Sequence, residues 1–169
     1  KTNLDLIGIR LFYVAGVDPD AKNSKRNMFY FSQGGYGLGD KDFYNNPKFE
    51  KIASKYKEHI ANMLVLAGED NTKAPEIAKQ IFDLEKKILD KGKATPEMRD
   101  AEKLYNPISR AEFNKLVPML KLDSYYKSFG IAPDTVIIHS REYFEALNAI
   151  IASTDVAILK NYTKWLVIH

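Results

Sequence analysis

The chain has 169 residues, of which 45% are hydrophobic and 28% are charged, a composition that excludes an intrinsically disordered protein. The 25 basic residues are scattered among 22 acidic ones, so the net charge of +3 gives no concentrated basic surface for nucleic acid. No apolar run is long enough to span a membrane, which takes about 18 residues. Cysteine is absent, which excludes disulfides and thiolate metal sites. Because the chain begins at Lys1 and not at Met, we expect a segment of a longer protein.

The first predicted elements are two strands. Residues Ile9–Val17 are β-branched and aromatic, and Asp18-Pro19-Asp20 is predicted to end this strand, because proline cannot donate to a ladder. After a polar connection, Met28–Gln33 predicts a second strand. Together they predict an antiparallel hairpin with a loop of about ten residues. Large apolar side chains fall on both of its faces, so we expect one face to pack on helices of this chain and the other on further protein.

A glycine-rich stretch follows, with four glycines within Gly34–Gly39. This density predicts positive φ angles or close backbone packing. Its GGxGxG spacing differs from the GxGxxG of dinucleotide-binding turns, and no Walker lysine follows. The pattern therefore indicates a structural turn and not a phosphate site.

From residue 45 onward, apolar residues at helical spacing predict a series of helices. Their predicted ranges are Pro47–Gly68, Pro75–Lys91, Thr95–Leu104, Ser109–Val117, Ser124–Phe129, a helix capped by Ser140, and a last helix beginning at Thr154-Asp155. Tyr105-Asn106-Pro107 is predicted to end the third helix, and Thr135–His139 predicts a short strand. On the second helix, Glu85, with three lysines, is interpreted as part of a solvated face.

The residues predict no catalytic or metal site. The three histidines, His59, His139 and His169, are far from the i, i+4 spacing of a zinc-binding HExxH helix, and we interpret His59 as half-buried and structural. No GxSxG nucleophile motif is present. The pair Asp40 and Asp42 lacks the pattern of a calcium loop around it.

Several segments together resemble one protein family. These are residues 11–44 (LFYVAGVDPDAKNSKRNMFYFSQGGYGLGDKDFY), Asp83–Ile88, Leu104–Ser109, and Tyr143–Leu147 followed by Tyr162–Leu166. Their order and spacing resemble the N-terminal, non-catalytic region of neprilysin and endothelin-converting-enzyme type zinc metallopeptidases. The chain departs from that pattern at Phe43, where tyrosine is usual, and at Gly39, where proline is usual; both departures are compatible with the same fold.

The resemblance implies a mostly α-helical α+β fold with one antiparallel hairpin near the N-terminus. We expect residues 1–169 to form a single cap-lobe region of a larger peptidase, with the hairpin and glycine turn in 1–44 and helices in 45–169. The parent is expected to be a zinc metalloendopeptidase that hydrolyses small peptides, with this lobe enclosing the active-site chamber. Its partners are then peptide substrates and the catalytic lobe of the same polypeptide.

In that family the zinc ligands and the substrate-aligning Asn-Ala-x-Tyr segment lie in the catalytic lobe. The resemblance therefore assigns no catalytic or metal residue to this chain and leaves its substrate-binding residues unknown. We expect the segment alone to bind no zinc and to be inactive. The absence of cysteine indicates a bacterial member, for which the family implies export to the periplasm or cell envelope. The alternative hypothesis is a stand-alone helical peptide- or glycan-binding module.

Overall fold

The structure, a computed structural model, describes residues 9–169. Its four strands are β1 Tyr13–Asp20, β2 Asn23–Gln33, β3 Asn106–Ser109 and β4 Thr135–Ile138. Its α-helices are α1 Asp42–Asn45, α2 Glu50–Leu66, α3 Ala74–Leu89, α4 Arg110–Leu116, α5 Leu122–Ser128, α6 Arg141–Ser153 and α7 Val156–Ile168. Short 3-10 turns occur at Pro47–Phe49, Glu97–Arg99 and Pro118–Leu120. The predicted class, mostly helical with an N-terminal hairpin, is confirmed.

The described chain divides into two compact units. The sheet unit comprises the described residues up to Gly35 together with Lys91–Ala152. The helical unit comprises Tyr36–Asp90 together with Ser153–His169. Residues 9–169 form no helix that is both long and apolar enough to cross a membrane.

The hairpin belongs to a four-stranded sheet of order β1-β2-β4-β3. Strand β4 runs parallel to β2 and pairs with it at Phe29–Phe31, and β3 pairs antiparallel with β4. The sequence predicted β4 but not β3, because Tyr105-Asn106-Pro107 was interpreted as the end of a helix. Pro107 is tolerated because β3 is an edge strand, where a missing N–H leaves no ladder bond unmade.

The predicted end of β1 at Asp18-Pro19-Asp20 is wrong, because β1 continues to Asp20 and the connection is only the two residues before Asn23. The orientation of the peptide groups explains why β1 can contain Pro19. The His139 amide donates to the Phe31 carbonyl at 2.9 Å, so the peptide groups of Phe31 face β4. Every second residue repeats this direction, so position 27 faces that side too. Pro19 pairs with Asn27, so the N–H of a residue at position 19 would point away from β2. The proline therefore removes no hydrogen bond between β1 and β2.

Aromatic side chains form the core of the sheet unit. They come from the sheet and from the helices that cover one of its faces: Tyr13, Phe29, Phe31, Phe113, Tyr125, Tyr126 and Phe144. The Phe31 ring lies 5.1 Å from that of Phe29 and 5.1 Å from that of Phe113, both edge-on. Such pairs add about 0.5–1.5 kcal/mol each beyond the burial of their area.

Phe12 and Tyr13 are both buried, although neighbours in a strand point to opposite faces. Phe12 lies just before β1 and has a φ of +67°, so the chain turns there before the strand begins. The second face of the hairpin carries Tyr30, whose ring lies 6.2 Å from the ring of His139. Val14, on the same face, is 37% exposed.

Side-chain caps support four of the predicted helix starts, whereas the predicted helix Thr95–Leu104 is wrong, because that segment forms only a 3-10 turn at Glu97–Arg99. The Asn46 side chain accepts from the Lys48 amide at the turn that leads into α2. Ser109 Oγ accepts from the Glu112 amide at 3.2 Å, and Ser140 Oγ accepts from the Tyr143 amide at 3.1 Å. Asp155 accepts from the Ala157 amide at 2.6 Å at the start of α7. Each such cap satisfies an amide that the helix itself leaves free and contributes roughly 1 kcal/mol.

Candidate functional site

A buried carboxylate cluster centres on Glu85, in the middle of the helical unit. Its side chain is 0% exposed, so its assignment to a solvated face is wrong. Tyr44 Oη donates to Glu85 Oε2 at 2.8 Å, and Tyr56 Oη donates to the same oxygen at 2.9 Å. Among residues 9–169, no lysine, arginine or histidine forms an ion pair with it. A signal for this burial was present, since Ile81, Glu85 and Ile88 recur at i, i+4 and i+7, on one face of the helix.

Burial controls the proton equilibrium of this cluster. Removal from water raises the pKa of Glu85 to about 7, against the hydrogen bonds from Tyr44, Tyr56 and the Gly37 amide, which lower it. Burial, together with the nearby Glu85 carboxylate, raises the pKa of both tyrosines above their usual range. The tyrosines therefore remain hydrogen-bond donors while the carboxyl group changes charge near neutral pH.

The glycine stretch lies against these tyrosines. The Leu38 amide donates to Tyr44 Oη at 3.1 Å. A Cβ at Gly37 would clash with the Tyr56 hydroxyl and lie 2.7 Å from its Cζ, so this position requires glycine. Gly39 has a φ of +68°. The predicted structural role of the stretch is thus confirmed, and the cluster acts by positioning the glycine stretch on α2 and α3.

The sheet unit holds a second carboxylate cluster, at the tip of the hairpin. The Asp20 side chain is 0% exposed, and its Oδ2 accepts from Arg26 Nη2 at 2.6 Å and from Nε at 2.7 Å. Its Oδ1 accepts from Tyr105 Oη and from the Lys22 amide, both at 2.9 Å. The Lys22 amide first, and then Arg26 and Tyr105, hold the pKa of Asp20 below its usual range. Asp20 is 85 residues from Tyr105 in sequence, so no local pattern could have predicted this cluster.

A groove of 340 Å³ lies beside this cluster, where β2 extends past the start of β4. It is lined by Arg26, Asn27, Met28, Phe29, Tyr105, Pro107, Pro133, Asp134 and Thr135. Arg26 is already paired with Asp20, so its charge is not free for a ligand. The groove offers apolar surface and strand backbone.

The histidines lie apart from both carboxylate clusters. His59 is exposed and not half-buried as predicted, with its ring 5.6 Å from Trp165 and 5.7 Å from His169. His139, in the other unit, lies with Nδ1 at 2.9 Å from Ser32 Oγ, and partial burial lowers its pKa.

No group of three His, Asp or Glu side chains in the described part of the chain could hold a metal ion. A zinc site takes at least three protein ligands, so these residues do not fit zinc. Asp40 accepts instead from the Asp42 amide at 3.0 Å in a local turn. That this segment binds no zinc remains a prediction.

Comparison with known proteins identifies the family. The family model described as Peptidase family M13 matches residues 2–169. Endothelin-converting enzyme 1 of Cavia porcellus is 28% identical over 161 residues, which cover 91% of this chain and 21% of that enzyme. Neprilysin-3 of Drosophila melanogaster is 25% identical over 163 residues, covering 88% of this chain and 21% of its own length.

Among solved structures, Mycobacterium tuberculosis zinc metalloprotease Zmp1 in its open state superposes with a TM-score of 0.91 at 27% identity. The match covers 98% of this chain and 26% of Zmp1. The chain thus spans between a fifth and about a quarter of the length of these relatives. It corresponds to the N-terminal region of such metallopeptidases. The chain belongs to Peptidase family M13.

Proposed function

We propose that the chain is the non-catalytic helical lobe of a zinc metalloendopeptidase that hydrolyses small peptides, and that this lobe encloses the active-site chamber. One observation carries the proposal: nearly the whole chain matches the M13 family and superposes on Zmp1, yet its sequence contains no HExxH motif. A chain with the family's fold and without its zinc motif fits a lobe that works beside a catalytic partner. That partner is the remainder of the same polypeptide.

The lobe forms part of the enclosure of the active-site chamber and contributes no catalytic group. In the parent, zinc held by the catalytic lobe would supply the activated water for peptide hydrolysis. Residues of this chain would limit access, so that short flexible peptides enter and folded proteins do not. A wall must keep its shape, and the buried clusters at Asp20 and Glu85 fix a hairpin and a glycine turn by side-chain hydrogen bonds.

Residues 1–169 form one cap-lobe region, inactive and zinc-free on its own. The parent is exported and acts in the periplasm or cell envelope of a bacterium. The alternative, a stand-alone peptide- or glycan-binding module, is not favoured by the family match.

The experiment uses the full-length parent protein and a series of substrates. We expect it to hydrolyse short peptides, to lose this activity with a chelator, and to regain it with zinc. Cleavage should fall as peptide length rises and be absent for a folded protein that carries the same cleavable sequence in an exposed loop. Equal cleavage of short peptides and of that folded protein would contradict the chamber. The matched control is the segment alone; chelator-sensitive turnover by it would contradict its non-catalytic role.

A further inference from the structure

Strand β2 is longer than the strand that flanks it. It spans Asn23–Gln33, whereas β4 pairs with it only at Phe29–Phe31. Strand β4 begins only at Thr135, so its pairing with β2 does not reach Asn27. The part of β2 before Phe29 therefore has β1 on one side and the 340 Å³ groove on the other.

The backbone of Asn27 faces this groove. The peptide groups of Phe31 face β4, and the two-residue alternation of a strand turns those of Asn27 to the same side. Asn27 is exposed, and its N–H has no acceptor among residues 9–169. An unpaired donor along a strand is a template for pairing with another extended chain.

The two long sides of the hairpin differ in this respect. On the outer side of β1, Pro19 removes an outward N–H, which is a common way to block pairing at an edge. Strand β2 contains no proline. Near the tip of the hairpin, the outward N–H of β1 is thus missing at Pro19, whereas the N–H of Asn27 on the side of the groove is present.

The lining of the groove fits a polypeptide better than an anion. Phe29 is buried to 9% exposure, and Met28 and Tyr105 are half-buried, which gives apolar contact for side chains that point alternately to either face of an added strand. The guanidinium of Arg26 is engaged by Asp20, which leaves no free cation in the lining for an anion.

We propose that an extended segment of the parent polypeptide, from outside residues 1–169, occupies this groove as a strand that pairs with β2 at Asn27 and continues the line of β4. This inference rests on the proposed function, because it requires the longer parent. The relatives supply the length: this chain covers 21% of endothelin-converting enzyme 1 and 26% of Zmp1, so most of each polypeptide lies outside the matched region.

The test is amide hydrogen exchange at Asn27, resolved to single residues, in the full-length parent. We expect exchange at least tenfold slower than the intrinsic rate of an unstructured amide, at every protein concentration and without added peptide. Exchange at the intrinsic rate would overturn the proposal. Protection that appears only at high protein concentration would assign the groove to a second copy, and protection that appears only with added peptide would assign it to a ligand; both overturn it.

Three variants of the parent separate backbone pairing from side-chain contact. Asn27→Ala keeps the N–H, so the protection should persist. Asn27→Pro removes an N–H that the hairpin does not use, and should lower the Tm of the parent. Val17→Pro is the matched control, because Val17 faces Phe29 in the same kind of pair and its N–H points to the outer side of β1. Equal Tm shifts for the two proline variants would contradict the assignment to β2.

Failure of this proposal is distinguishable from failure of the proposed function. A parent with chelator-sensitive peptide hydrolysis and an unprotected Asn27 amide would keep the function and lose the strand. A parent with a protected Asn27 amide and no such hydrolysis would keep the strand and lose the function.

Discussion

Asp20 and Glu85 are both removed from solvent and both accept hydrogen bonds from tyrosine, yet only Asp20 also faces a positively charged side chain. Asp20 has a guanidinium and a backbone amide against its two oxygens, and its pKa is lowered. Glu85 has two phenol hydroxyls and, within residues 9–169, no cation as a partner, and its pKa is raised to about 7. At Glu85 burial outweighs the hydrogen bonds and raises the pKa, whereas at Asp20 the hydrogen bond from the Lys22 amide, followed by those from Arg26 and Tyr105, outweighs burial and lowers it.

The two clusters therefore stabilise the protein under different conditions. Asp20 contributes as an anion, so its contribution is present above its unfolded pKa and is lost as pH falls through its lowered folded value. Glu85 fits its site best when protonated, so its site is most favourable in acid and is penalised as the pH rises towards 7. The same fold thus carries one carboxylate suited to neutral pH and one suited to acid.

Removal of Glu85 should have the largest effect. Glu85→Ala leaves the hydroxyls of Tyr44 and Tyr56 buried without their acceptor and opens a void, so we expect a loss of about 3–5 kcal/mol of unfolding free energy. Urea unfolding, followed by the fluorescence of Trp165, the one tryptophan of the chain, measures it in the helical unit. The matched control is Asp83→Ala on the same helix, whose exposed pair with Lys79 should cost no more than about 0.5 kcal/mol. Similar losses for the two variants would show that burial of Glu85 is unimportant.

A pH series should show the charge of Glu85 directly. Below the ordinary pKa of 4.5 the group is protonated in both states, and between 4.5 and about 7 only the folded state keeps the proton. Stability should therefore fall with rising pH across this window, by about 3 kcal/mol in total, and level off above it. In Glu85→Gln this fall should be absent, with other pH effects unchanged. A parallel pH profile for wild type and Glu85→Gln would contradict the raised pKa.

A substitution in the glycine stretch should destabilise the Glu85 cluster by a smaller amount. Gly37→Ala places a Cβ against the Tyr56 hydroxyl, so the tyrosine must move away from Glu85, and we expect a loss of about 2 kcal/mol. Gly16→Ala is the matched control, because an added Cβ there meets no atom within 4 Å. Thermal unfolding of the two variants gives the comparison, and a lower Tm for Gly16→Ala than for Gly37→Ala would refute it.

The smallest effect is expected at the hairpin tip. Arg26→Met keeps the length of the side chain and removes its charge, so the pKa of Asp20 should rise towards its usual value while the Lys22 amide still holds it down. Tyr105→Phe removes one donor without a charge and should raise this pKa less. Titration of the Asp20 carboxyl carbon by NMR distinguishes them. A larger rise with Tyr105→Phe would mean that the phenol, and not the guanidinium, dominates the site.

The sequence predicted what local chemistry determines. The caps at Ser109, Ser140 and Asp155 were readable because the capping side chain lies two or three residues from the amide it satisfies. Family resemblance carried the fold class and the family itself. The range of α3 was also predicted correctly to within two residues at each end: the predicted range is Pro75–Lys91 and the observed one is Ala74–Leu89.

The features that were missed depend on distant partners. Strand β3 contains Pro107 and is a strand only because β4, about 30 residues later, offers an edge on which proline does no harm. Glu85 was placed on the solvated face because charge outweighed its spacing from Ile81, and the two hydroxyls that make its burial tolerable lie 29 and 41 residues away. The sequence of one helix alone does not predict hydrogen-bond partners that lie on other elements.

The hydroxyl of Tyr143 on α6 closes the open end of the hairpin, and this has a consequence for the order of folding during synthesis. It donates to the Phe12 carbonyl at 2.5 Å, 131 residues earlier in the chain, and lies 3.4 Å from the Gly34 amide, 109 residues earlier. The hairpin leaves the ribosome long before α6. The hydrogen bonds from Tyr143 that hold this end together are therefore missing while most of the segment is being synthesised. Contacts over such separations form late and slow the folding of a domain. We therefore expect the sheet unit to complete its folding only after Tyr143 has left the ribosome, with the growing hairpin as the part most dependent on chaperones.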